Sequence, residues 1–320
     1  MMKEILLVEK PGLLTTVQDL GRTGYQQYGV VVAGAMDSFS MQIANLLVGN
    51  RKDEAVLEAT IAGPSLRAVR NIVIAICGGD LAAKINGKDA PLWKSVLLKK
   101  GDQLSFTGLK SGARAYIAIA GGINVPKVMG SKSTYLKAGI GGLNGRALQK
   151  GDVIMGSEPV KTSTIGRMLS PSLIPKYEKH MTIRIVPGPH EEAFTKEGID
   201  TFFSSVYEVT PQSDRMGYRL KGPKISHRKP ADILSEAAPL GGIQIPADGQ
   251  PIILMADRQT TGGYTRIGTV ITVDLMYVAQ AVPGAKIRFQ PVSVQEAQKL
   301  YLEQMRIIRQ ISVGAGIYDE

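Results

Sequence analysis

The sequence predicts a mainly β protein built from two similar domains. Three observations carry that expectation. Short runs rich in β-branched residues end at glycine or proline, the composition is glycine-rich and aromatic-poor, and a set of landmarks recurs in the same order in both halves. The 320 residues include 36 glycines, while aromatic residues make up 6%. That balance favours strands joined by tight turns over a helical bundle.

The first landmark is a strand ending in Pro-Gly. "ILLVEKPGLL" ends it at Pro11–Gly12, and "TIRIVPGPHE" at Pro187–Gly188. A helical pattern follows in each half. In "MDSFSMQIANLLVG", from Met36, the residues Met36, Phe39, Ile43, Leu46 and Leu47 fall on one helical face. Its counterpart is "EEAFTKEGIDTFFSS", from Glu191. Each helix gives way to a strand and a Gly-Pro step, "VLEATIAGPSL" in one half and "MGYRLKGPKI" in the other. Finally "KKGDQLSF" matches "VPGAKIRF", a turn glycine followed by an alternating strand that ends in phenylalanine. Two repeats are too few for a solenoid. A pair of barrel-like β domains is the simpler inference.

The stretch at residues 158–180, "EPVKTSTIGRMLSPSLIPKYEKH", is rich in proline and hydroxyl residues and reads as the connection between the halves. The expected division is a first domain over residues 1–165 and a second over residues 166–320. Beyond the second barrel, "SVQEAQKLYLEQMRIIRQI" sets Ala297, Leu300, Tyr301, Met305 and Ile308 on one face of a C-terminal helix. Ser293 and Glu296 supply an S-x-x-E capping box at its start.

Composition narrows the partners. Hydrophobic residues at 44% and charged residues at 21% describe a soluble globular chain. The apolar run near the N-terminus is too short for a signal peptide, and no apolar segment is long enough to span a bilayer. Cys77 is the single cysteine, which excludes an intramolecular disulfide and fits a reducing cytoplasm. The net charge of +10 is spread over both halves. Without a basic run, interleaved aromatics or a zinc-finger pattern, neither nucleic acid nor membrane is an expected partner. A diffuse basic surface suits a small anionic substrate, through electrostatic steering.

The chemically richest stretch is "DRQTTGGYTRIG", residues 257–268, between the apolar runs "PIILMAD" and "TVITVDL". Turning between two strands needs far fewer residues. Arg258 and Arg266 offer planar forks to a carboxylate or phosphate. Thr260 and Thr261 add hydroxyl donors, and Gly262 and Gly263 can present backbone N–H groups to an anion without a Cβ in the way. Asp257 can orient one of the arginines or accept a substrate N–H. The competing reading is a glycine hairpin whose arginines point to solvent. A second cluster, "TPQSDRMGYRL", contributes Asp214 and Arg215, for which a local ion pair is the structural alternative. A third, "VQDLGRTGYQQYGVVVAGAMD", contributes Asp19, Arg22 and Asp37, the last equally suited to complementing a helix dipole. Gln244, in "GGIQIPADGQP", is an amide able to read another amide.

Several tempting motifs fail. In "GSKST", Ser131 intervenes after Gly130 and Val125 stands where a phosphate loop requires its first glycine. "GIGGLNG" carries Asn144 where a dinucleotide fingerprint wants glycine. Cys77 lies in the continuous apolar strand "IVIAICGGD", a packing position. His180, His190 and His227 have no metal-ligand spacing, so no metal site is expected.

With these clusters in hand, the sequence resembles a known family. "VQDLGRTGYQQYGV", "GAMDS", "ANLLVGN", "GGINVP", "SDRMGYRL" and "ILMADRQTTGGYTRIG" are similar to the carboxyltransferase-type family of allophanate hydrolase subunit 2, whose bacterial branch is of the KipA type, the C component of 5-oxoprolinase. The resemblance runs from about residue 8 to about residue 297. It implies two tandem cyclophilin-like β-barrel domains with a few short helices. It also implies one member of a multi-subunit complex that opens 5-oxoproline to glutamate with ATP hydrolysis, inactive alone. The implied partners are a KipI-like subunit and a LamB/YcsF-like subunit, and ATP is bound with or by a partner. The chain lacks the Ala-Met-Lys-Met setting of a biotinyl lysine, so no covalently attached biotin is expected. Two alternatives come with the resemblance: a regulator that antagonises a KipI-like kinase inhibitor, and the carboxyltransferase component of a biotin-dependent urea or allophanate system. On the oxoprolinase reading, Asp257, Arg258, Arg266 and Asp214 are the expected catalytic residues. Thr260, Thr261, Gly262, Gly263, Arg215, Gln244, Asp19 and Arg22 are the expected substrate or anion contacts.

Overall fold

A computed structural model describes residues 3–157 and 162–317. The connection read at residues 158–180 therefore lies partly, at 158–161, outside the described residues. The chain divides into two compact units. The first comprises residues 1–22, 33–177 and 306–320, and the second residues 23–32 and 178–305. The fold is mainly β, with short helices and a C-terminal helix, as the residue pattern predicts.

The first unit holds β1 (Lys3–Lys10), β2 (Leu14–Gln18), β3 (Val56–Thr60), β4 (Ser65–Ala68), β5 (Ile72–Asp80), β6 (Ala83–Ile85), β7 (Lys88–Asp89), β8 (Ser95–Leu98), β9 (Gln103–Phe106), β10 (Ser111–Ile119) and β11 (Val153–Gly156). They form a six-stranded sheet, β11-β1-β4-β9-β6-β7, and a five-stranded sheet, β2-β3-β10-β5-β8. Leu6 and Leu66 of the first sheet join Leu57, Ile74, Ile76 and Ile117 of the second in one buried core. Each such side chain contributes about 1.5–3 kcal/mol when fully buried. Strand β5 is apolar on both faces because α1 (Ser38–Leu47) covers it and β10. That explains why its sequence shows no alternation.

Helix α1 starts two residues later than the apolar spacing predicts. Asp37 is its N-cap, with Oδ1 accepting the Ser40 N–H at 2.9 Å. Its Oδ2 accepts the Ser40 hydroxyl at 2.6 Å and the Tyr177 hydroxyl at 3.2 Å. Asp37 is thus spent on capping and anchoring. Cys77 is buried in β5, and burial pushes its thiol well above the usual range.

The second unit holds β12 (His180–Pro187), β13 (Tyr207–Val209), β14 (Gly217–Lys221), β15 (Asp232–Ala237), β16 (Gly242–Gln244), β17 (Ile252–Leu254), β18 (Thr261–Tyr264), β19 (Arg266–Val270) and β20 (Lys286–Pro291). Seven of them close a barrel in the order β12-β19-β16-β17-β14-β13-β20. The closing pair, β12 with β20, is parallel and runs from His180 opposite Lys286 to Ile185 opposite Pro291. Helix α2 (Lys196–Ser204) begins five residues after Glu191, because Glu191–Ala193 forms a 3-10 turn and Thr195 supplies the N-cap. From α2, Phe202 stacks on Phe289 of β20, with ring centroids 4.5 Å apart. Helix α3 (Leu275–Ala279) is a single short segment. Helix α4 (Val294–Gly314) starts as its capping signal indicates, with Ser293 Oγ accepting the Glu296 N–H at 3.1 Å.

The stretch "DRQTTGGYTRIG" is not simply a long loop. Its middle, Thr261–Tyr264, is β18, which leaves the barrel and pairs antiparallel with β15 as a separate two-stranded ribbon. Two adjacent glycines give weak strand propensity, so the pairing partner decides the conformation. Among the described residues no helix is long and apolar enough to cross a membrane.

Candidate functional site

The second unit contains a cavity of about 390 Å³. Its walls come from three stretches of chain. Gln26 and Val32 belong to the early segment that joins this unit, Ala237, Ala238 and Pro239 lie at the end of β15 and just beyond it, and Arg258, Gln259, Thr260 and Arg266 flank β18. Three of the residues singled out from sequence, Arg258, Thr260 and Arg266, therefore meet in one space.

Arg258 is half-buried and held at one edge. Its Nε donates to the Ala238 carbonyl at 2.8 Å and its Nη1 to the Met255 carbonyl at 3.4 Å. Among the described residues no carboxylate pairs with it. Burial lowers its pKa from the ordinary arginine value, because the charged form loses hydration without a counter-ion. A guanidinium in this state favours an incoming anion. Arg266 differs. Its Nη2 lies 3.4 Å from Glu236 Oε1, its Nη1 contacts the Ala237 carbonyl at 3.5 Å, and its buried Nε has no hydrogen-bond partner among the described residues. The Arg266 backbone N–H donates to His190 Nδ1 at 3.0 Å. Ala237 and Ala238 line the space beside both arginines.

The remaining expected site residues have other roles. Asp257 orients neither Arg258 nor Arg266, because its buried carboxylate is taken by Arg215, with Nε to Oδ2 at 3.0 Å and Nη2 to Oδ1 at 2.9 Å. Arg215 is correspondingly committed to that pair. Asp214 shapes its own turn, Oδ1 accepting the N–H groups of Met216 at 2.8 Å and Gly217 at 3.1 Å. Thr261, Gly262 and Gly263 are strand residues of β18, with Thr261 opposite Ala237 and Gly262 opposite Glu236. Gln244 is buried in β16 and does not line the cavity. A Cβ at Gly262 would collide with its Nε2, so glycine is needed there for close approach. Asp19 and Arg22 lie in the first unit. Asp19 accepts the hydroxyls of Ser131 and Ser133 and the Lys132 N–H, and buried Arg22 donates to the Ser133 carbonyl. Both organise a loop.

Sequence reasoning missed Gln26, His190, Glu236 and the Ala237–Pro239 wall. His190 precedes Arg266 by 76 residues, so no local spacing announces their contact. Among the described residues no group of three or more His, Cys, Asp or Glu side chains is arranged to hold a metal ion.

The chain falls in one class of protein, the carboxyltransferase domains. The description "Carboxyltransferase domain, subdomain A and B" matches residues 28–291, and the chain belongs to that family. It is 38% identical to the C subunit of 5-oxoprolinase from Escherichia coli (strain K12), over 96% of this chain and 98% of that one. It is 36% identical to urea amidolyase of Lachancea kluyveri, over 96% of this chain but 18% of the yeast protein. The crystal structure of the K. lactis urea amidolyase superposes with a TM-score of 0.90 at 33% identity, covering 99% of this chain and 20% of that one. The chain thus spans nearly all of the bacterial protein and about a fifth of the yeast enzyme.

Proposed function

We propose that the chain is the C subunit of a 5-oxoprolinase complex, which opens 5-oxo-L-proline to L-glutamate at the expense of ATP. The observation that carries this reading is the guanidinium of Arg258, which has no carboxylate partner among the described residues and faces the same cavity as Arg266 and Thr260. The match to the bacterial C subunit along almost its full length supports it. An amide is a poor electrophile, and phosphorylation of its oxygen makes cleavage on the nitrogen side far easier. In this reading Arg258 holds the substrate carboxylate. Arg266 and the Thr260 hydroxyl face the amide oxygen, where negative charge develops. ATP is held with or by a partner, and the chain acts in the cytoplasm with a KipI-like subunit and a LamB/YcsF-like subunit. In this reading the two units are a tandem pair of cyclophilin-like domains.

The test is glutamate release from 5-oxoproline, with and without ATP, by the chain alone, with a KipI-like partner, and with both partners. Activity confined to the full mixture is expected. Retention of full turnover by folded Arg258→Ala and Arg266→Ala proteins would sink the assignment of the cavity.

The second reading, carboxyl transfer in a biotin-dependent urea system, is favoured by the superposition on urea amidolyase. Carboxylation of urea by the chain together with a biotin carrier protein, and no glutamate release, would select it.

A further inference from the structure

Glu236 is the acidic neighbour of Arg266, one of the cavity's two arginines. It lies in β15 and is 38% exposed on its side chain. Its Oε1 is 3.4 Å from Arg266 Nη2, and its Oε2 is 3.5 Å from His190 Nε2. Because His190 Nδ1 accepts the Arg266 backbone N–H, the ring proton sits on Nε2, facing Glu236. Arg266, Glu236 and His190 thereby close a ring of three contacts. Both contacts to Glu236 are long beside the roughly 2.7–2.9 Å of a tight charge-assisted hydrogen bond. Glu236 offsets the charge of Arg266 without occupying its fork.

The two arginines are therefore unequal. Arg258 carries a full charge with no carboxylate among the described residues, whereas Arg266 is partly neutralised before any ligand arrives. The other lining residues, among them Gln26, Gln259 and Thr260, are uncharged. The lining thus carries two guanidinium charges, and among the described residues the one carboxylate set against them, Glu236, lies outside the lining and beside Arg266 alone.

We propose that Glu236 sets the charge the cavity accepts, admitting a small monoanion with one carboxylate and a neutral polar group such as an amide, and rejecting dianions. This rests on the anion-binding reading of the cavity given above. Arg258 takes the carboxylate. Arg266, partly balanced by Glu236 before any ligand arrives, faces the oxygen that is neutral in the entering ligand and gains charge only as the reaction proceeds. Glu236 stands outside the lining, 3.4 Å from Arg266 Nη2, so a second negative charge drawn toward Arg266 competes with a carboxylate already beside that guanidinium and is repelled by it. His190 acts as a positioning residue that holds both Arg266 and Glu236.

The experiment compares two five-carbon probes by ligand-observed NMR titration of the full chain at neutral pH and low salt: 5-oxoproline, a monoanion, and glutarate, a dianion. The wild-type protein is expected to prefer 5-oxoproline. Glu236→Gln should shift the ratio of affinities toward glutarate by about three- to tenfold, the effect of one partly screened charge. Glu236→Ser serves as a second variant, and thermal melting confirms that each is folded. Arg258→Ala should weaken both probes. An unchanged ratio in both Glu236 variants, with binding still lost in Arg258→Ala, overturns the role of Glu236 and leaves the anion site standing. Wild-type preference for glutarate overturns it as well. Failure of both probes to bind any form overturns the anion site itself, and the inference with it.

Discussion

Arg215 and Asp257, 42 residues apart, close on each other as a buried two-pronged ion pair. The Asp257 N–H also donates to the Arg215 carbonyl at 2.8 Å, so backbone and side chain tie the same two positions. This junction fixes the start of the segment that carries Arg258 and Thr260. Asp257→Asn leaves the Arg215 charge buried without its carboxylate, which costs about 3–5 kcal/mol. Chemical denaturation should show that loss. Replacing both partners with apolar residues of similar volume should recover most of it.

Arg258 is expected to separate activity from stability. Its side-chain bonds go only to the Ala238 and Met255 carbonyls, and it holds no carboxylate among the described residues. Arg258→Ala should therefore melt close to the wild type while turnover of the assembled complex falls by about a hundredfold. Arg258→Lys keeps the charge but loses the planar fork, and should recover only part of that loss. Melting curves and turnover, measured on the same preparations, check both statements.

Gly262 and Gln244 form a steric couple. A methyl group at 262 runs into the buried Gln244 amide, so Gly262→Ala should destabilise the protein by about 1–3 kcal/mol. Shortening the side chain in Gly262→Ala/Gln244→Ala makes room. The double variant should be more stable than the sum of the single changes predicts, and a double-mutant cycle by denaturant titration reads that coupling.

His227 gives the second unit a pH dependence of known sign. Its Nε2 lies 3.0 Å from the Thr265 hydroxyl, its ring packs 4.9 Å from that of Phe194, and burial lowers its pKa. The folded protein thus binds a proton less readily than the unfolded chain, whose histidines titrate near about 6.5. The stability is fully present above that value and is lost as pH falls through it toward the folded-state pKa. Melting temperatures measured between neutral and mildly acidic pH should fall more steeply in the wild type than in His227→Gln.

Much of the fold was legible because it is written locally. The strand of residues 72–80, the helix opened by Asp37 and the Ser293 cap all follow from neighbours within a few positions. The site was legible only where chemistry stands out against an apolar background, as with Arg258 and Arg266 after β17. What was illegible needs distant chain. Nothing near Asp257 announces Arg215 as its partner, and the local Asp214–Arg215 pair weighed from sequence gives way to a turn capped by Asp214. The Ala237–Pro239 wall and Gln26 carry no chemical signal, since a cavity wall is defined by what it leaves open. The ribbon strand β18 was hidden by its glycines, because only pairing with β15 makes them extended.

The parallel pairing of β12 with β20 has a consequence for the protein's birth on the ribosome. The barrel's first strand opens at residue 180 and its closing partner ends at residue 291. A nascent chain therefore carries an unzipped β12 edge for as long as the intervening stretch takes to emerge. Such an edge is a template for pairing with other chains, and pairing of distant strands is slow to form. Translation stalls or premature stops before residue 286 should yield products that aggregate, whereas a chain that has passed residue 291 can seal itself. The last strand of the barrel is thus also its quality-control step.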